Sequence, residues 1–147
     1  MGRLGAGDVA CWVLKTSRPP SQLVPGWAPG AAYSLTRCVR PSYRLDLMAP
    51  GQPCLLWLSG RHSPGVHALG TLDSAVGTDD DGAPVVGVRL ILLPDPVARA
   101  EVLADPRLQD AEVLRMPAGS NPSWLSARQF SAVLDRVAGA GLEPWTA

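Results

Sequence analysis

The side chains that could do chemistry are few and fall in three short stretches. Lys15 ends an apolar run and is followed by Thr16 and Ser17; Trp57 and Ser59 lie two apart at the end of a second run; Ser120 and Asn121 sit in the turn "PAGSNPS". An ammonium and two hydroxyls at a strand end can meet a phosphate or the edge of a base. In an extended strand, Trp57 and Ser59 point to one face, so a flat apolar wall and a hydroxyl are presented together. Each position also has a plainer reading. A Lys at a strand end is a solvated charge, a Trp in an apolar strand is core, and Asn before Pro is a turn former.

Several classes of chemistry find no support. There is no Ser-His-Asp order, phosphate-binding P-loop, G-x-G-x-x-G or H-E-x-x-H pattern. Cys11, Cys38 and Cys54 are an odd set with no C-x-x-C pair, which argues against structural disulfides. His62 and His67 have no neighbouring Cys or carboxylate to complete a metal shell, so neither a metal nor a cofactor is expected. No apolar stretch approaches a membrane span, and the N-terminus lacks the plan of a signal peptide, so the expected location is the cytoplasm.

Formal net charge is zero, but its distribution is uneven. Residues 1–70 carry a net +5 and residues 71–147 a net −5, and twelve of the thirteen cations are Arg. Arg suits bidentate phosphate contacts and stacking on bases. An Arg bias can reflect genome composition, but that does not separate the charges between the halves.

The 147 residues fit one domain, and with 46% apolar and only 18% charged residues they can fill a core. "VACWVLK" reads as a first strand, after a loose tail over 1–8. Residues 17–34 contain so many Pro and Gly that a long loop is expected. "CLLWLSGRHSPGVHALGTL", residues 54–72, reads as a β-hairpin, "TDDDGAP" as an acidic turn, and "VVGVRLILL" as another strand. Pro96 is placed at the start of a helix ending near Pro106. Ser126 and Gln129 form a capping box for a last helix with an apolar stripe through Phe130, Val133 and Val137, which Gly139 can end. The fold class is α+β: a small, mainly antiparallel β-barrel with flanking helices, spanning 9–137 and followed by a C-terminal tail, 138–147.

In order, "CWVLKTS", "YSLTRC…APGQPCLLWLSGR…PGVHALGTL" and "ADPRLQDAEVLRMPAGSNPSWLSARQF" resemble the EVE domain, a member of the PUA-like group and a relative of the YTH domain. The resemblance implies a PUA-like barrel and a reader of modified bases in DNA or RNA. It implies an aromatic pocket in the barrel mouth. The family's loop aromatic falls in register on Tyr33, with Trp27 six residues earlier, and either one stacks. Trp57 then has two readings, pocket wall or core. Lys15, Thr16, Ser59, Ser120 and Asn121 supply polar contacts to the base, and Arg37, Arg40, Arg44 and Arg61 flank the mouth as phosphate contacts.

Two rival functions remain. Some PUA-like relatives of the ASCH group are amidohydrolases, an activity that needs an acid–base pair such as Lys with Glu. The three Glu residues, Glu101, Glu112 and Glu143, are all distant from Lys15 in sequence. The third reading is a scaffold subunit.

Overall fold

The computed structural model describes residues 3–137. Seven strands form one sheet: β1 (Cys11–Thr16), β2 (Ala32–Cys38), β3 (Pro53–Leu58), β4 (Gly65–Leu72), β5 (Gly77–Thr78), β6 (Pro84–Ala98) and β7 (Ser123–Leu125). Among the described residues there are also four α-helices, α1 (Pro20–Leu23), α2 (Arg99–Ala104), α3 (Glu112–Arg115) and α4 (Ala127–Val137), and two short 3-10 helices, Ala6–Asp8 and Tyr43–Leu47. The strand order is β2-β6-β4-β3-β1-β7, with β5 beside β6. Only the β1–β3 pair is parallel.

Two apolar clusters cover the two faces of this sheet. Cys11, Val13, Leu55 and Trp57 face Val102, Val113, Phe130 and Val133 from the helices. Trp12, Leu14, Cys54 and Leu56 face the other way, into a cluster with Trp27, Val39, Met48, Val86 and Val88. A strand buried on both faces has no polar alternation, which is why the central strands are continuous apolar runs. The β3–β4 hairpin forms as its sequence predicts.

The expected barrel is not closed. β2 and β7 are the two edges of an open, curled sheet. The chain just beyond β2 meets the chain just before β7 through a single backbone bond, Arg40 N–H to the Asn121 carbonyl at 2.9 Å. Pro41 and Pro122 flank this contact, and a residue without an N–H cannot extend a ladder.

Two other elements differ from expectation. The strand expected over 85–93 continues through Pro94 and Pro96 to Ala98, and the helix begins at Arg99 rather than Pro96. The prolines are tolerated because the β4–β6 register shifts between Val66 and Ala68, and a bulge needs no N–H there. The segment 17–34 contains α1 and the first residues of β2. At the N-terminus, Leu4 N–H donates to the Tyr43 hydroxyl at 2.9 Å, and Arg3 lies over the Tyr43 ring. The capping box of α4 is present, with Gln129 N–H donating to Ser126 Oγ and Ser126 N–H to Gln129 Oε1. Gly139 and the C-terminal tail lie outside the described residues.

Candidate nucleic-acid interface

The parallel pairing of β1 and β3 brings their C-terminal ends together, and the ladder continues one residue further, from Ser59 N–H to the Thr16 carbonyl at 2.8 Å. The β3–β4 turn above this point is held by His67. Its side chain is buried, and Nε2 donates to the Ser63 carbonyl at 2.7 Å. Ser63 has a φ of +54°, a conformation a non-glycine residue keeps only when its surroundings hold it there.

The third wall comes from far along the chain. Asn121 clamps the end of β1 as a strand would: its Oδ1 accepts from Lys15 N–H at 2.7 Å, and its Nδ2 donates to the Lys15 carbonyl at 3.0 Å. Lys15 Nζ in turn donates to the Met116 and Gly119 carbonyls at 3.0 and 2.8 Å. Burial lowers the Lys15 pKa, Glu112 opposes the shift, and Arg44 adds to it. Gly119 packs tightly here: a Cβ would lie 3.1 Å from the Met116 carbonyl oxygen and 3.2 Å from Lys15 Nζ, so a neighbour would have to give by a few tenths of an ångström.

Lys15, Thr16, Ser17, Ser59, Ser120 and Asn121 thereby line one cleft of about 230 Å³. Five of these residues are the polar contacts assigned from the sequence; Ser17 stands beside two of them. A second cleft of about 240 Å³ shares Gly119, Ser120 and Asn121 as its wall and has Arg40, Ser42 and Met116 on its other sides.

The aromatic residues are placed differently. Trp57 is 4% exposed, packed in the core cluster among Val13, Leu55 and Val66, and lines neither cleft. The strand runs on into a polar turn because its last residues cap a core, and Trp57 and Ser59 do not share an open face. Trp27 is 6% exposed, with its indole N–H on the Ala31 carbonyl at 2.8 Å. Tyr33 is 43% exposed and meets the Trp27 ring edge-on, with centroids 6.0 Å apart. Neither residue lines the two clefts.

Of the four arginines, Arg44 is already occupied. Its guanidinium makes two 2.7 Å bonds to Glu112, and Nη1 also donates to the Pro122 carbonyl at 2.9 Å. Ser123 Oγ completes the group by donating to Glu112 Oε1. The Arg44 bond holds the Glu112 carboxyl below its usual range. Arg40 is exposed, with Nη1 on Ser120 Oγ at 2.9 Å, and Arg61 is exposed on the β3–β4 turn. Arg37 is half-buried, and its Nε has no partner. Burial lowers its pKa, and the charge of Arg18 adds to the shift.

Sequence reasoning missed two residues. Glu112 reaches the neighbourhood of Lys15 although 97 positions separate them in the chain. His67, dismissed as a metal ligand, positions the turn that carries Ser59 and Arg61. No spacing pattern marks either role: that of Glu112 depends on long-range docking, and the bond of His67 to Ser63, four residues away, depends on the conformation of the turn. Among the described residues no group of three or more His, Cys, Asp or Glu could hold a metal ion, and no helix is long and apolar enough to cross a membrane.

A curled, mostly antiparallel sheet with helices docked on one face is the PUA-like α+β fold. Particular solved structures share it. A hypothetical protein from Leishmania major superposes with a TM-score of 0.69 at 15% identity, over 92% of this chain and 98% of that one. A protein from Rhodopseudomonas palustris does so with a TM-score of 0.64 at 21% identity, over 92% and 97%. The human THYN1 protein, solved in complex with DNA containing 5-methylcytosine, superposes with a TM-score of 0.59 at 15% identity, over 91% and 99%. No family model and no curated protein matches the chain significantly. At these identities the likeness establishes the fold that the EVE resemblance implies, and the fold alone.

Proposed function

We propose that this chain is a non-catalytic nucleic-acid-binding module that receives a modified, unpaired or flipped base of DNA or RNA in the cleft at the end of β1. The observation that carries the reading is the convergence of Lys15, Thr16, Ser17, Ser59, Ser120 and Asn121 from three distant segments. The hydroxyls at such a site can satisfy donors and acceptors on a base edge, while the Asn121 amide and Lys15 Nζ, bonded to main-chain groups, hold the cleft in shape. The human THYN1 protein, solved with methylated DNA, supports it through a fold shared over almost the whole of both chains.

The aromatic part of the reading is narrower than the sequence suggested. Tyr33, backed by Trp27, is the ring with an open face, but it lines neither cleft and is given no contact to the base here. Arg40, exposed on the wall of the second cleft, and Arg61, exposed on the β3–β4 turn, carry the phosphate contacts; Arg44 does not, because Glu112 holds it.

The approach of Glu112 to Lys15 is what would favour a hydrolase. Both groups are committed elsewhere, however. Glu112 is ion-paired with Arg44 and bonded by Ser123, and Lys15 Nζ is fixed on two carbonyls. A general base must be free to take a proton at working pH, and a carboxyl held low by Arg44 is a poor one.

The test is a titration of single-stranded oligonucleotides carrying individual modified bases, using the parent and the Ser59→Ala and Ser120→Ala variants. The reading expects both variants to fold as the parent and to bind more weakly. Unchanged affinity in both would remove the cleft from the account.

A further inference from the structure

β2 pairs with β6 along one side only; no other strand among the described residues lies on its far side, which is closed only beyond its end, where Arg40 N–H meets the Asn121 carbonyl. The hydrogen-bond parity identifies which groups are left over. Leu92 N–H donates to the Ala31 carbonyl and Val39 N–H to the Pro84 carbonyl, so the odd-numbered residues turn their main chain toward β6. Ala32, Ser34, Thr36 and Cys38 therefore turn N–H and C=O outward. Ser34, Thr36 and Cys38 are exposed. The strand, A-Y-S-L-T-R-C, holds no Pro and no Lys, two of the residues with which edges are commonly blunted.

We infer that this edge pairs with itself: two copies of the chain join β2 to β2, antiparallel, across a two-fold axis at Leu35. The occupant follows from the sequence of the strand. Centring on Leu35 is the register that pairs all seven residues, and a slide of two leaves two residues of each strand unpaired. In the centred register Ser34 stands opposite the second copy's Thr36, Leu35 opposite its own equivalent, and Tyr33 opposite the second copy's Arg37. Hydroxyl pairs, an apolar pair and an Arg on an aromatic ring are favourable cross-strand neighbours, and no like charges meet. A slide of four would set Arg37 against Arg37. One further observation fits the pairing: Tyr33 is 43% exposed. The contact is isologous and closes at two copies.

The test is sedimentation of the full chain over a concentration series in reducing buffer, beside Thr36→Pro and Ser34→Pro. Each proline removes one outward N–H and leaves the inward ladder to β6 untouched. The parent is expected to rise to twice the mass of the chain, and both variants to remain at one mass with the parent's far-ultraviolet spectrum. A crosslink tests the register independently of how the proline variants fold. Residue 32 opposes Cys38 of the second copy in a hydrogen-bonded pair, about 5.5 Å between Cα atoms, within disulfide reach. Ala32→Cys under oxidising conditions is expected to give a disulfide-linked dimer between positions 32 and 38, since Cys11 and Cys54 are buried. A parent that stays at one mass at every concentration, a dimer that survives both prolines, or a crosslink between other positions would overturn the inference.

Discussion

Asn121→Ala tests how the cleft is built. The side chain makes two bonds to the Lys15 backbone, at 2.7 and 3.0 Å, and joins segments 106 positions apart. Each such bond is worth about 0.5–1.5 kcal/mol net, and Lys15 is half-buried, so water replaces only part of the loss. The expected destabilisation is about 1–3 kcal/mol, which in a chain of this size lowers the melting temperature by roughly 2–10 °C. Asn121→Asp is the informative companion. It keeps an acceptor for Lys15 N–H but sets a carboxylate oxygen against the Lys15 carbonyl, so it is expected to melt no higher than the Ala variant at neutral pH. Calorimetric melts, paired with oligonucleotide titration well below each variant's melting point, give both readouts. The reasoning predicts that binding falls even where the protein is fully folded, because Ser120 loses its register with Thr16 and Ser59. An Ala variant that melts and binds with the parent would refute the clamp.

Glu112→Gln removes the carboxylate from a pair whose side chains are 22% and 14% exposed. Partial solvent screening places the loss below the 3–5 kcal/mol of a fully buried pair, at about 2 kcal/mol, read by denaturant titration. Because the folded-state pKa of Glu112 is depressed, its stabilisation is fully present above the ordinary Glu value of about 4.3 and is lost as pH falls below it. Parent and variant are therefore expected to converge in acid, and a gap that persists there would contradict the ion pair. Trp57→Ala should cost about 3–5 kcal/mol of stability, as for a buried Trp, and a protein that melts near the parent would restore the pocket-wall reading. Two phosphate contacts, Arg40 and Arg61, predict a slope of about −1.4 for log K against log salt on single strands. A slope near zero would remove both.

The sequence was most legible where burial is strongest. Residues 11–16 and 53–72 declare their strands because both faces of the central sheet are covered, and Ser126 with Gln129 declares the last helix through local chemistry. β2 was hidden because one exposed edge needs no apolar run, and its first residues, 32–34, read as the end of a loop. The polar half of the site was legible through residue type, since Lys15, Thr16, Ser59, Ser120 and Asn121 do converge. The aromatic half was not. A Trp in an apolar strand is compatible with either face of a sheet, and only the docking of α2, α3 and α4 shows that the face holding Trp57 is closed. The ion pair of Arg44 was hidden for a related reason: its partner Glu112 lies on a helix that no spacing rule brings to it.

The central claim is tested most directly by mapping backbone amide shifts as a single-stranded oligonucleotide with one 5-methylcytosine is added, beside its unmodified twin and twins carrying other modified bases. The account predicts that the largest changes fall on Thr16, Ser17, Ser59, Gly119 and Ser120, and that at least one modified strand saturates them at lower concentration than the unmodified strand. Changes confined to residues away from this cleft, or identical titrations for every base, would contradict it.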